Sequence, residues 1–228
     1  MAADTSQRAD GSGSDGSARP TGRPSREAAE QIEATMLDAA LATFIEAGFQ
    51  GASMEAIARR AGVTKRTLYR RARTKSDLFV EVVERLARQS GMPNLARVEA
   101  GPLEQRLQAA GEILLGWLLN PHAIALYRMI VAEAARQPGL ALSVDGPFQR
   151  ASTAIAAILA EDGGRPAETV RLGADMFVRL VAGEALDRAA QGIEPAGVSD
   201  RTHARAMAAI AFFLAGWRSW PASTPSFP

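Results

Sequence analysis

The sequence contains no cysteine, so disulfides, thiolate metal sites and a cysteine nucleophile are excluded by composition. It has only two histidines, His122 and His203, each isolated in a helical context without a carboxylate motif beside it. An enzyme built on a general base or a histidine metal site therefore finds no assembled group of residues to use. Asp175, Glu184 and Asp187 fall roughly along one helix, with a spacing that suits a solvated or interface face better than an acid pair. No run reaches the roughly 18 apolar residues of a membrane span; the longest, Ala206 to Gly216, is bounded by Arg205 and Arg218. Met1 to Gly22 has no apolar stretch of the kind a signal peptide requires. These absences lead to the expectation of a soluble cytoplasmic protein that is not an enzyme and that needs no cofactor and no metal.

Lysine is also scarce, and its placement is informative. The formal net charge of +1 says nothing about a partner, but Arg59, Arg60, Lys65, Arg66, Arg70, Arg71, Arg73 and Lys75 follow one another with no acidic residue between them, and they include the only two lysines in the chain. Basic residues on an ordinary solvated helix are interspersed with acids. A run of this kind fits a nucleic-acid-binding face, although a solvated cationic face has the same composition.

With 228 residues, of which 47% are hydrophobic, the chain can build a small unit joined to a medium one. Residues 1–24 have the Gly/Ser-rich, weakly hydrophobic composition of a disordered tail. Apolar residues from Ile32 to Ile45 recur at helical spacing, with Ser25 placed as N-cap and Gly48 as the stop. Ser53 opens a second helix that ends at Gly62. Thr64 opens a third reaching Ala72, and Thr74 with Asp77 forms a capping box for a fourth, from Lys75 to Arg88. Gly91, Pro93, Gly101 and Pro102 mark a linker. Beyond it the expected helices are Leu103 to Leu119, Ala123 to Arg136, Pro147 to Leu159, Ala167 to Ala190 and Asp200 to Trp217, and no segment shows a strand pattern. The predicted fold is all-α: a head over 25–91, a helical regulatory and dimerisation domain over 92–220, and a flexible C-terminus over 221–228.

Ala58 and Gly62 carry the most specific signal. Two helices that cross closely need a small residue at the crossing and a glycine at the turn four residues later, which is the helix-turn-helix spacing. Val63 and Leu68 then face the core, leaving Thr64, Lys65, Arg66, Thr67, Tyr69, Arg70 and Arg71 for solvent or DNA. The longer segment from Leu37 to Phe79 resembles the DNA-binding domain of the TetR family of regulators. Gly48-Phe49, Ser53, Ile57-Ala58, Gly62-Val63-Thr64, Leu68-Tyr69 and Lys75 with Leu78-Phe79 all stand where that pattern has them. Leu126 to Ala141 is similar to one common type of C-terminal domain in the same family.

The resemblance implies roles. Lys75, Tyr69 and Thr64 are expected to hold DNA phosphates, while Lys65, Arg66, Thr67 and Arg70 are expected at base edges in the major groove. Gly22-Arg23-Pro24 forms a candidate arm, with a solvated tail as the alternative. The chain departs from the pattern at Arg71 and Ala72, where the family carries an aromatic pair or His-Phe. An uncompensated Phe to Ala change costs about 3 to 5 kcal/mol, so Met54, Phe44 or Phe79 is expected to refill the space, and Arg71 adds charge. A protein-binding adaptor that has lost operator recognition through Ala72 is the competing reading.

In the second domain Leu114, Trp117, Leu118, Tyr127, Met129, Ile130, Phe148, Met176, Phe177 and Leu180 either form core or line a small-molecule effector pocket. The absence of an obvious buried charge cluster favours a lipophilic or neutral ligand. The resemblance also implies a homodimer through the last two helices, with Phe177, Val181, Phe212, Phe213 and Trp217 as interface candidates, and the fourth helix as lever. The function so implied is a ligand-responsive repressor binding a palindromic operator in double-stranded DNA.

Overall fold

The computed structural model describes residues 26–89, 95, 98–136 and 138–220, with backbone alone at 138, 139 and 141–147. The Ser25 cap, the Gly22-Arg23-Pro24 arm and much of the expected linker lie outside the described residues. Among those described there are nine helices and no strand: α1 (Arg26–Gly51), α2 (Met54–Arg60), α3 (Lys65–Arg71), α4 (Lys75–Gln89), α5 (Leu103–Leu118), α6 (Pro121–Glu133), α7 (Pro138–Ala160), α8 (Ala167–Ala190) and α9 (Asp200–Ser219).

Local chemistry fixes most helix ends. Gly48 breaks α1 with φ 69°, a left-handed conformation that glycine adopts without penalty, and one further turn reaches Gly51. Ser53 accepts from the Ala56 amide and Thr64 from the Thr67 amide, each satisfying an orphan donor of a short helix. Thr74 and Asp77 bond reciprocally, Asp77 N to Thr74 Oγ1 and Thr74 N to Asp77 Oδ2, both at 3.0 Å, as the capping-box pattern predicts. Helix α7 departs from the expectation. It begins at Pro138 and runs through Pro147, which the sequence reading took as its start. Leu140, in its first turn, is buried in the core of the head.

Two hydrophobic clusters organise the chain. The first joins α1 to α4 around Phe44, Ile57, Leu68, Leu78 and Phe79, all at 0% exposure, and also takes in Leu126 and Ile130 of α6 with Leu140 of α7. Phe44, Phe49 and Phe79 form a mutual ring contact, with centroid separations of 5.1 to 6.0 Å. Ala72 is buried in the same cluster, so the aromatic volume of the head comes from these three rings, Phe49 among them. The second cluster is built from α5, α7, α8 and α9, and reaches back to Ala87 at the end of α4. Glycines set its tightest crossings: a Cβ on Gly173 would lie 2.4 Å from the Trp217 ring and one on Gly111 2.7 Å from Ile210. No single helix among the described residues is long and apolar enough to cross a membrane.

Candidate nucleic-acid interface and regulatory core

Helices α2 and α3 meet in a tight turn. The Gly62 amide donates to Arg59 O and the Val63 amide to Ala58 O, and Gly62 has φ 67°. Buried Ala58 lets the helices approach, and buried Leu68 anchors α3 on the head. Thr64, Lys65, Arg66, Tyr69, Arg70 and Arg71 are left exposed on or beside one short helix, while Thr67 is half-buried and shares a 2.9 Å hydroxyl contact with Thr64.

The basic run divides into engaged and free charges. Arg60 makes a bidentate pair with Glu46 of α1, at 2.5 and 2.8 Å. Lys65 Nζ lies 2.9 Å from Glu55 of α2. Arg71 bridges Glu33 of α1 and Glu81 of α4, at 2.7 and 2.9 Å. Lys75 does not face outward as expected of a phosphate ligand. Its ammonium donates to the carbonyls of Phe49, Gln50 and Ala52 at 2.6, 3.3 and 3.0 Å, and sits 4.6 Å from the Phe49 ring centroid. Those carbonyls lie at and beyond the end of α1, where a cation is favoured electrostatically. All three donors of the ammonium are thereby directed at the chain itself, and burial holds it below the usual lysine range, with Glu133 opposing. Arg59, Arg66, Arg70 and Arg73 are exposed, and their guanidinium groups have no ion-pair or hydrogen-bond partner among the described residues. Arg59 and Arg73 belong to the basic run, but neither lies on α3 and the helix-turn-helix spacing does not single them out.

Behind the head, α5, α6, α7 and α8 border an open cleft of about 840 Å³, lined by Leu118, Tyr127, Phe148, Val178 and Leu186 on its apolar side. Its other side carries Asp175, Arg179, Glu184 and Asp187, all exposed, and half-buried Arg188. Arg188 is paired with Glu194 at 2.8 Å, and Glu184 with Arg205. Burial and the nearby Asp187 carboxylate push the Tyr127 hydroxyl above the usual phenol range, Arg179 opposing. A smaller cavity lies between this cleft and the head, where Val83 and Leu86 of α4 meet Trp117, Leu126 and Ile130; Leu118, Tyr127 and Phe148 line both spaces. Leu114 and Phe177, expected at the pocket, are instead sealed in the core at 0% exposure, and Met176 is 41% exposed on the outer face of α8.

That outer face corrects the interface expectation as well. Phe177, Val181, Phe213 and Trp217 pack within the chain, at 0, 5, 9 and 1% exposure. Trp217 is further fixed by Arg165, 4.4 Å above its ring, and by a bond from Nε1 to Asp162. Of the five candidates only Phe212, 74% exposed, lies on the surface, near Met176 and Leu180 at 41 and 43%. A helical period shared by inward and outward apolar residues does not separate the two sets.

A helix-turn-helix head seated on an all-helical body that carries a cleft defines a class of DNA-binding regulator. The model of "Bacterial regulatory proteins, tetR family" matches residues 36–82, and that of "AefR-like transcriptional repressor, C-terminal domain" matches residues 105–219. The HTH-type transcriptional activator FasR of Mycolicibacterium smegmatis is 30% identical over 173 residues, covering 73% of this chain and 76% of the relative. A TetR-family transcriptional regulator from Mesorhizobium loti superposes with TM-score 0.69 at 26% identity, over 82% of this chain and 96% of that one. The flavonoid-responsive regulator FrrA superposes with TM-score 0.62 at 25% identity, over 82% and 97%. The chain belongs to the TetR family of bacterial transcriptional regulators, which are DNA-binding proteins and not enzymes.

Proposed function

We propose that the chain is a ligand-responsive repressor that binds a palindromic operator as a homodimer, with a head over 25–91 and a regulatory and dimerisation domain over 92–220. The observation that carries this reading is the set of exposed guanidinium groups of Arg59, Arg66, Arg70 and Arg73 on and around the helix-turn-helix, which have no partner among the described residues. Arg66 and Arg70 are the base readers, with Thr67 beside them. Tyr69, Arg59 and Arg73 hold phosphate, while Arg71, Thr64 and Lys75 serve chiefly to shape the head and Lys65 is engaged by Glu55. Two such heads on a two-fold axis match two half-sites. Repression is supported by the description of the C-terminal family model, against which stands the FasR relative, named an activator.

The effector occupies the cleft beside Tyr127. Because Leu118, Tyr127 and Phe148 line both that cleft and the space against Val83 and Leu86 of α4, a ligand that displaces them moves α4, and α4 begins the turn after α3. Arg150 of α7 also clasps Glu84 of α4, at 2.7 and 3.2 Å. Effector and operator then oppose one another by the same coupling free energy. The lining suits an aromatic or apolar ligand that also carries polar groups; FrrA is described as flavonoid-responsive. Selection of duplexes from fragmented genomic DNA, followed by a promoter fusion to the selected site, tests the reading. A palindromic site whose reporter rises when the protein is deleted is the expected result. A reporter that falls makes the chain an activator, and failure to enrich any sequence rejects operator recognition.

A further inference from the structure

We infer that Glu55 is a positioning residue that holds Lys65 away from DNA phosphates and so limits non-specific binding, an inference that rests on the DNA-binding reading above. Among the described residues, Glu55 and Lys65 form an ion pair that links the two helices of the helix-turn-helix directly, Glu55 in the first turn of α2 and Lys65 at the start of α3, 2.9 Å apart. The other engaged cations pair outward, Arg60 to α1 and Arg71 to α1 and α4. Lys65 would otherwise add a mobile ammonium to the face that carries Arg66 and Arg70. The pair is solvent-exposed, with side chains 62 and 47% accessible, so it contributes little to stability and its effect falls on the charge presented to DNA. The hydrogen bond from Lys65 holds the Glu55 carboxyl below the usual carboxylate range, so the carboxylate stays ionised at neutral pH.

The consequence follows from the origin of non-specific affinity, which is electrostatic and scales with the number of phosphates that cations neutralise. An ammonium already neutralised by a carboxylate releases no DNA counterion. With Glu55 in place Lys65 contributes nothing to the salt dependence, while the unpaired guanidinium groups contribute fully. The reading head thus keeps its arginines for base edges and phosphates and withholds one charge from indiscriminate attraction.

The test uses the full-length chain, with E55Q, K65A and the double variant, each titrated on a scrambled duplex over a fourfold range of salt. E55Q is expected to bind the scrambled duplex more tightly and to steepen the slope of log K against log salt by about 0.9, so that the fourfold rise costs about 3.5-fold more affinity than in the parent. K65A alone leaves the slope at the parent value, and E55Q adds nothing to the slope once Lys65 is absent. An unchanged slope in E55Q, or a slope flattened by about one unit in K65A alone, overturns the inference and leaves DNA binding intact. Failure of the unmutated chain to bind any duplex at low salt overturns the DNA-binding reading and this inference with it.

Discussion

At the scale of single residues, Lys75 and Tyr127 do the most physical work for their size. The Lys75 ammonium closes the end of α1 by satisfying three carbonyls, a charge-assisted set that is costly to leave unpaired. Lys75→Met is therefore expected to lower stability by about 1 to 3 kcal/mol in a denaturant titration. It should leave the salt slope of DNA binding unchanged, and a slope reduced by about one unit would return Lys75 to the phosphate contacts. Tyr127 gives a prediction in pH. Its hydroxyl titrates above the ordinary value of 10 in the folded chain, because of burial and then Asp187. The folded state thus keeps a proton that the unfolded state has lost, and the associated stability, complete below pH 10, is lost as pH rises through the raised folded value. Urea midpoints measured from pH 9 to 11 should fall less steeply in Tyr127→Phe than in the parent, and parallel declines would show that Tyr127 is not the group responsible. Residues of this kind were only partly legible in the sequence. The caps at Ser53, Thr64 and Thr74 with Asp77 depend on neighbours a few positions away and could be read directly. Arg71 could not, since its partner Glu33 is 38 positions distant.

At the scale of elements, α6 joins the cleft beside Tyr127 to the head. It presents Tyr127 to the cleft, while Leu126 and Ile130 enter the core of the head. Its last residue, Glu133, is 6% exposed and accepts a 2.6 Å bond from Gln50 in the turn that ends α1. Removing that acceptor breaks a tie between α6 and the turn that Lys75 also holds, and so loosens it. Glu133→Ala should speed hydrogen exchange of the amides from Gln50 to Ile57 by about tenfold, equivalent to about 1.4 kcal/mol of local opening, with α8 and α9 unaffected. Uniform acceleration over the whole chain would show a global loss of stability instead of a local joint. Neither Gln50 nor Glu133 stood out in the sequence, because a buried carboxylate at a helix end has no periodic signature. The start of α7 was missed for a related reason: Pro147 reads as a boundary locally, and only Leu140 packing on the head shows that the helix begins earlier.

At the scale of the molecule, the account requires two chains. Met176, Leu180 and Phe212 form an apolar face on α8 and α9, beside a groove of about 490 Å³ that Trp217 and Trp220 also line. Exposed apolar surface of this kind is what the proposed dimer would cover. Phe212→Glu places a charge there and is expected to give monomers by sedimentation at micromolar concentration, with helical content retained. Phe213→Glu, which the sequence alone would have selected, would bury a charge in the protomer and unfold it. The periodicity alone does not say which side of α8 and α9 is free to meet a second chain, since both helices carry apolar residues facing inward and outward. The most direct test of the whole account is the affinity of the unmutated chain and of Arg70→Ala for a selected operator and for a scrambled duplex, measured at one salt concentration. The prediction is two chains on each operator and a loss of about 1 to 3 kcal/mol for Arg70→Ala on the operator beyond any loss on the scrambled duplex. Equal losses on both duplexes, or one chain per operator, would contradict it.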